Sequence, residues 1–391
     1  MISAQDYIQG SARIFFAGTE RQYQCYVPSA VNREFAVSNR VAERSEEAMR
    51  LIGELNAYSS IVPDVDYFIQ MHVRKEAVQS SRIEGTYTDI DDAILDEKEI
   101  SPERRNDWRE VRNYVRALNH SIGRLQDLPL AMRLLNEAHQ ILLEGTRGDG
   151  KTPGQIRTLQ NWIGGATINS AIFVPPHAEL IPASLTDLEN FIHNHSISMP
   201  KLVRIAVTHF QFETIHPYAD GNGRIGRLLI MLQMMNYGLM KQPTLYMSDF
   251  FEKNRQNYYE ALTYVRIRQN LDHWLEFFLD GVVDAAQSGK DKFEKILELR
   301  KSYDARVLEL GKTRGRRANM LLQYLYKIPA VNVSQASQVL GISPSNTNTL
   351  INEMVRVNII KEKTGFSRNR LFVLEEYLQI FRSKPLSGIE S

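Results

Sequence analysis

The chain is almost without cysteine: Cys25 is the only one in 391 residues. No disulfide framework can therefore hold it, and a reducing compartment suits it. No apolar run approaches the roughly 18 residues that span a bilayer. Residues 1–22 carry no apolar signal core. The expectation is a soluble cytoplasmic protein with no membrane partner. Net charge is almost absent too: 47 Lys and Arg face 46 Asp and Glu, leaving +1. That excludes a global pull toward nucleic acid or membrane and leaves room only for local patches. Internal repeats and low-complexity tracts are missing. What remains, 43% hydrophobic and 24% charged, is enough for two or three domains with real cores.

Apolar residues recur at three- and four-residue spacing along most long segments, which reads as helix. The spacing predicts helices over 45–55, 65–85, 107–125, 131–143, 185–194, 201–212, 223–237, 252–266 and 271–280. Gly85, Gly145, Gly238 and Pro243 mark stops. One interruption rich in β-formers, 162–174, has Gly164-Gly165 and Asn169-Ser170 as turn signals and reads as a hairpin. Charge-rich 289–300 and 311–317 read as a connecting helix and a linker into a last domain. Residues 1–40 carry no assignment, although Phe15, Phe16 and Tyr26 point to a packed arm. The class is mainly α with small β excursions.

The densest chemistry lies at 216–227, His-Pro-Tyr-Ala-Asp-Gly-Asn-Gly-Arg-Ile-Gly-Arg. Glycines allow positive φ, so the backbone N–H groups of Gly221, Asn222 and Gly223 can converge on an anion. The apolar run after them, 225–235, reads as a helix whose N-terminus would face that anion. Arg224 and Arg227 share a face of its first turn and form a fork suited to phosphate. Asp220 is a hard oxygen ligand suited to Mg²⁺. His216 is a base that can take a proton from a hydroxyl. It precedes Pro217, which biases its backbone to extended geometry.

This string resembles the signature of the Fic family, His-Pro-Phe-x-Asp/Glu-Gly-Asn-Gly-Arg-x-x-Arg, with Tyr218 in place of Phe. The resemblance implies a Fic-type helical core and transfer of AMP from ATP to a Ser, Thr or Tyr hydroxyl of a protein. In that reading His216 deprotonates the hydroxyl, and Asp220 holds Mg²⁺ on the α- and β-phosphates. The 221–223 backbone and Asn222 cradle phosphates, and Arg224 and Arg227 clamp the β- and γ-phosphates. Residues 152–157 and 161–164 look like the segment leading into the family's flap, and 173–182 like its return. The flap is a hairpin that seats the target chain by strand addition. In 254–262, Tyr259 is the better match than Tyr258 for the tyrosine that contacts adenine in the family.

Ser80-Ser81-Arg82-Ile83-Glu84-Gly85 matches a second family pattern, Ser/Thr-x-x-x-Glu-Gly/Asn. Ser80 and Glu84 lie on one helix face. Gly85 can end the helix in the left-handed conformation, leaving Glu84 at the unfavourable pole of the dipole. By the resemblance, this glutamate pairs with the second signature arginine, Arg227, and inhibits the site. The order resembles the subclass with an N-terminal inhibitory helix, which also implies a dimer.

Farther on, 318–326 and 334–340 read as helices, the second capped by Ser334. Gly341-Ile342-Ser343 is a turn, and Pro344 opens the next helix with Ser343 as its cap. Residues 359–363 and 370–373, around Thr364-Gly365, read as a wing. The whole resembles a winged helix-turn-helix domain. One reading is DNA binding, with Ser345, Asn346, Asn348 and Thr349 facing bases and Lys361, Lys363, Arg368 and Arg370 on phosphates. The other is a structural or dimerisation module, because the recognition helix has no Lys or Arg before Arg356.

The expected organisation is an N-terminal helical region (1–110) carrying the inhibitory helix and a Fic catalytic core (111–285). A linker helix (286–317) and a winged helix-turn-helix domain (318–391) follow. The expected function is an autoinhibited protein adenylyltransferase using ATP and Mg²⁺ on an unknown protein substrate, itself included. A nucleotide-sensing DNA-binding regulator and a de-AMPylase are the alternatives.

Overall fold

The computed structural model describes residues 2–3, 9–62, 64–365 and 370–382. Helices dominate and strands are few and short, as expected for a mainly α chain. The N-terminal stretch is β: β1 (Ile2–Ser3) pairs in parallel with β4 (Phe35–Ala36), and β2 (Gly10–Phe15) with β3 (Tyr23–Pro28) as an antiparallel hairpin. The hairpin is fastened to the 160–177 loop. The Tyr26 N–H donates to the Val174 carbonyl at 2.9 Å, and the Phe15 ring stacks 4.4 Å from His177.

Helix α1 (Asn39–Ile61) and the 38-residue α11 (Leu271–Leu308) run in parallel. Arg40 meets Glu276, Arg44 meets Asp280, Glu54 meets Lys290 and Tyr58 meets Glu294, at constant register. Exposed pairs contribute little individually; the buried stripe of Val41, Ala48, Leu51, Ile52 and Leu55 drives the packing. The expected helix ending at Asp280 and the separate helix over 289–300 are one continuous element. Gly281 and Gly289 are contact points, not breaks. A Cβ at Gly281 would lie 2.6 Å from the Phe250 ring, and one at Gly289 3.1 Å from Leu55. The break comes at Gly311, where φ is +75°. Residues 312–317, expected to be linker, are the first turns of α12 (Lys312–Lys327).

Between α1 and α11 the chain folds α2 (Val65–Ile83), the short α3 (Ile90–Ala93), α4 (Arg105–Arg124), α5 (Met132–Leu143), α6 (Ile181–His193), α7 (Lys201–Ile215), α8 (Asn222–Asn236), α9 (Ser248–Lys253) and α10 (Arg255–Arg268). The expected single helix over 252–266 is thus split at Asn254. Helix α7 is central: every residue from Leu202 to Ile215 is buried, as for a helix packed on all sides. It lies against α8, and the connection between them is the 216–221 loop.

After α12 come β5 (Ala330–Asn332), α13 (Val333–Leu340), α14 (Pro344–Arg356), β6 (Lys361–Glu362), β7 (Leu371–Val373) and α15 (Glu375–Phe381), with the sheet ordered β5-β7-β6. The cap of α13 is Asn332, not Ser334. Its side chain accepts from the Gln335 N–H, and Gln335 returns a bond to the Asn332 N–H, a capping box. Ser343 caps α14 as expected. This unit leans on α2. Phe68 packs 4.8 Å from Tyr326, and His72 sits between the rings of Phe293 and Phe381 at 5.0 and 5.1 Å. Lys363 and Arg382 both pair with Asp91 at 2.7 Å. Two of the expected phosphate contacts are thereby engaged, Lys363 with Asp91 and Arg370 with Glu362. Lys361 is exposed, and Arg368 lies outside the described residues. Among the described residues no helix is long and apolar enough to cross a membrane.

A valine at Gly281 has no room against Phe250 and Met247. Gly281→Val is expected to destabilise the protein by about 1–3 kcal/mol, the usual cost of overpacking, read as a lower urea midpoint.

Candidate active site

Local forces shape the 216–221 loop before any ligand enters. Helix α7 ends at His216, whose N–H donates to the Phe212 carbonyl at 2.9 Å. The residue is left-handed, φ 50° and ψ 61°, the reverse of the extended geometry expected before proline. A non-glycine residue there is strained, and such strain persists only where the surroundings fix it. Arg157 supplies much of that fixing. Its Nε donates to the His216 carbonyl at 2.9 Å, its Nη2 to the Pro176 carbonyl at 2.6 Å, and its backbone N–H to the Pro217 carbonyl at 2.9 Å.

Asn222 closes the loop from the other side. Its side chain accepts from the Tyr218 N–H and donates to the Tyr218 carbonyl, each at 2.8 Å. Its amide therefore ties the loop instead of facing an anion, a correction to the expected cradle; the backbone remains for that role. Tyr218 is buried, donates to Asn136 at 2.8 Å and stacks 3.9 Å from His139. His139 accepts from the Gly154 N–H through Nδ1 at 2.8 Å, which leaves Nε2 as the donor to the Asp220 carbonyl at 2.9 Å. Gly221 adopts φ 78° as the N-cap of α8, so the unpaired N–H groups of that helix begin beside Asp220.

The two arginines are buried, and each is met by a carboxylate from another helix. Arg224 donates to Glu110 of α4 at 2.9 Å and lies 3.5 Å from Asp220. Glu110 also takes the more exposed Arg147 at 2.7 Å. Arg227, its side chain 1% exposed, donates through Nε to Ser80 Oγ at 2.9 Å. Its Nη2 reaches the Ser80 carbonyl at 2.8 Å and Glu84 Oε1 at 2.7 Å. Helix α2 presents these groups through a Schellman ending. Gly85, φ +94°, donates to Arg82, and Thr86 donates to Ser81. Burial works against the Glu84 carboxylate, but Arg227, then Arg224 and His216, lower its pKa below the usual range. Burial likewise opposes the Arg227 charge, and Glu84 more than offsets it. Gly223 makes the approach possible: a Cβ there would sit 2.3 Å from Glu84 Oε1.

His216 has its Nδ1 buried without a hydrogen-bond partner among the described residues. Burial, with Arg157 and Arg266 nearby, lowers its pKa to about 4. It is thus an unprotonated base at neutral pH. Asp220 is partly open, its side chain 41% exposed, with Oδ1 accepting from the Gly221 N–H at 2.6 Å. A single open carboxylate beside a phosphate cradle fits Mg²⁺, which takes one or two carboxylates and completes its shell with phosphates and water. Tyr258 is core, bonded to His209 at 2.8 Å, whereas Tyr259 is 41% exposed and close enough to feel Glu84 and Arg227. The expected flap is less regular than a hairpin ladder. One bridge, Ile163 to Phe173, holds it, and Gly164 and Gly165 both take positive φ.

His216, Asp220, Arg224, Arg227, Ser80, Glu84 and Tyr259 thus gather around one loop. Arg157, from the segment expected to lead into the flap, joins them, as do Glu110 and His139, which carry no sequence signal: each reads as an ordinary polar position of a helix.

Residues 42–123 match the Fic/DOC family N-terminal region and residues 129–234 the Fic/DOC family domain. The chain is 32% identical over 140 residues to protein adenylyltransferase fic-1 of Caenorhabditis briggsae, covering 32% of this chain and 25% of that one. It is 30% identical over 95 residues to a probable protein adenylyltransferase of Aquifex aeolicus, covering 24% and 27%. The matches therefore span about a quarter of those relatives' length. A Fic family protein from Desulfovibrio desulfuricans has a TM-score of 0.56 at 21% identity, over 87% of this chain and 97% of that one. Residues 134–508 of Fic-1 from C. elegans give 0.51 at 20%, over 66% and 74%. These two structures share the fold.

Burial holds His139 and His216 at about 4 and His72 and His209 at about 3. The unfolded value is about 6.5, so between it and the folded values the unfolded chain binds more protons. The stability these four contribute is complete above the unfolded value and is lost as pH falls toward the folded ones. Each costs about 1.4 kcal/mol per pH unit in that window. Urea midpoints should fall from pH 7 to pH 5, with a shallower slope in His72→Phe.

Proposed function

Since the chain carries both domains of the Fic/DOC family, we propose that it transfers AMP from ATP to a Ser, Thr or Tyr hydroxyl of a protein, its own chain included. Glu84 holds the reaction off. The observation that carries the reading is the seat of Arg227: the arginine needed at the γ-phosphate is pinned by Ser80 and Glu84.

The chemistry follows from what each group can do. The hydroxyl oxygen attacks the α-phosphorus while its proton passes to His216, which its buried surroundings keep unprotonated. The bond from the α-phosphorus to the bridging oxygen breaks, and pyrophosphate leaves. Backbone N–H groups of Asn222 and Gly223, at the start of α8, receive phosphate oxygens. Arg224, aimed by Glu110, and Arg227 take the outer phosphates. Asp220 would hold Mg²⁺, which when bound neutralises phosphate charge. Tyr259 flanks the nucleotide, and the 160–174 loop seats the target chain. Most of the acceleration is positioning and charge stabilisation. With Arg227 turned to Glu84, the γ-phosphate has no clamp and the α-phosphorus is misplaced for in-line attack.

Residues 318–391 are best taken as a winged helix-turn-helix domain. The order α12, α13, α14 and a small sheet supports this. Its cations Lys363 and Arg382 serve the contact with Asp91, which favours a structural role over DNA binding.

Glu84→Gly should raise incorporation of labelled AMP by about 100-fold or more, the scale of one lost or gained charge contact in the transition state. His216→Ala in that background should remove transfer and keep ATP binding. Unchanged incorporation in a folded Glu84→Gly protein would overturn the inhibitory role. Because burial lowers the His216 pKa to about 4, Glu84→Gly activity should show no histidine inflection between roughly pH 5.5 and 8. A half-loss near 6.5 would place the base elsewhere.

A further inference from the structure

Arg227 poses a physical problem that release of the inhibitory helix does not solve. Its three hydrogen bonds among the described residues all come from α2. Withdrawal of α2 would strip every one of them from a guanidinium whose side chain is 1% exposed. A buried charge left without a partner is costly, on the order of several kcal/mol. Phosphate can meet part of the fork, but something must hold the arginine before nucleotide arrives and aim it afterwards.

One carboxyl group is already inside the protein beside it. Glu213 lies on the last turn of α7 and is 7% exposed. Its Oε1 has no hydrogen-bond partner among the described residues, which is unusual for a buried polar atom. Gly226, the residue before Arg227, makes space for it: a Cβ there would lie 2.2 Å from Glu213 Oε1. Gly223, one turn earlier, makes the same space for Glu84. The start of α8 is thus cut away twice, once for each carboxyl, at the positions four and one before Arg227. Glu84 fills the first gap with an ion pair, and Glu213 fills the second with none among the described residues.

We infer that Glu213 is the second seat of Arg227. When Glu84 lets go, the Glu213 carboxylate takes its place on the guanidinium and holds it with its remaining N–H groups toward the γ-phosphate. Glu213 is a positioning residue in this scheme, acting through Arg227 and touching no nucleotide. The inference rests on the proposed roles of Glu84 and Arg227. The fork geometry allows it, because five N–H donors leave one edge free when a carboxylate occupies another. The electrostatics agree. Burial pushes Glu213 up to about 7, Arg227 and Arg266 oppose this, and Glu84 adds to it. Departure of Glu84 removes a like charge and leaves Arg227 to favour the ionised carboxylate. Arg266, the other cation near Glu213, is already bonded to Thr214 at 3.2 Å and stacked 3.7 Å from the Phe173 ring.

The test compares ATP with ADP, which lacks the γ-phosphate, in the full-length protein with Mg²⁺ by titration calorimetry. The Glu84→Gly protein should bind ATP more tightly than ADP. Adding Glu213→Ala should weaken ATP about tenfold, the worth of one charge-assisted hydrogen bond, and leave ADP unchanged. Glu213→Gln, which keeps shape and one acceptor, should fall between, with thermal unfolding checking the fold of each. The KM for ATP should rise while kcat at saturation changes less. Equal weakening of ATP and ADP, or no change in either, would overturn the second seat. Failure of the proposed function is distinguishable, because it appears in Glu84→Gly alone, as absent AMP transfer or no preference for ATP.

Discussion

The structure depends on how one buried cation is kept satisfied. Arg227 sits at the start of a helix that is packed on nearly every side, where a guanidinium cannot turn to water. Its partner must come from the protein, and that partner determines what the site can do. With α2 in place, a serine hydroxyl, a backbone carbonyl and a carboxylate close around it. These contacts satisfy three of the hydrogen bonds the guanidinium can donate. The groups that hold this guanidinium come from a helix of the core and not from a detachable tail.

Around this arginine the loop is built to be stiff. Asn222 bonds both polar groups of Tyr218, His139 joins Gly154 to Asp220, and Arg157 gathers carbonyls from His216, Pro176 and Leu159. None of the three is aimed at a ligand. Together they hold His216 in a left-handed conformation that an isolated chain would avoid. A site whose work is charge stabilisation gains most from donors that need no rearrangement, and these inward-facing bonds provide that.

What was legible in the sequence was what lay contiguous. The 216–227 string carries its base, acid, glycines and arginines side by side, and Ser80 to Gly85 carries a cap, a carboxylate and their spacing. Glu110, His139 and Glu213 come from three separate helices and meet only through packing, so no local pattern marks them, and the 152–157 pattern did not show that Arg157 would brace His216. Pre-proline bias misled at His216 because tertiary hydrogen bonds outweigh a local preference of small size. The length of α11 was missed because the expected helix stopped at Asp280, whereas Gly281 and Gly289 continue the helix and let Phe250 and Leu55 approach it. At Asn332 the capping side chain lay two residues ahead of the one expected, within the ordinary uncertainty of helix ends. The β2–β3 hairpin escaped notice because its outer strand is mostly exposed and lacks apolar alternation.

Helix α2 has a second end. While Ser80 and Glu84 grip Arg227, Phe68 and His72, several turns away, are wedged among Tyr326, Phe293 and Phe381. A helix of 19 residues is a stiff rod about 28 Å long at 1.5 Å per residue. Pinned at both ends, it works as a lever. Tilting it at the aromatic fulcrum costs contacts at the arginine, and loosening the arginine relaxes the fulcrum, by the same free energy in either direction.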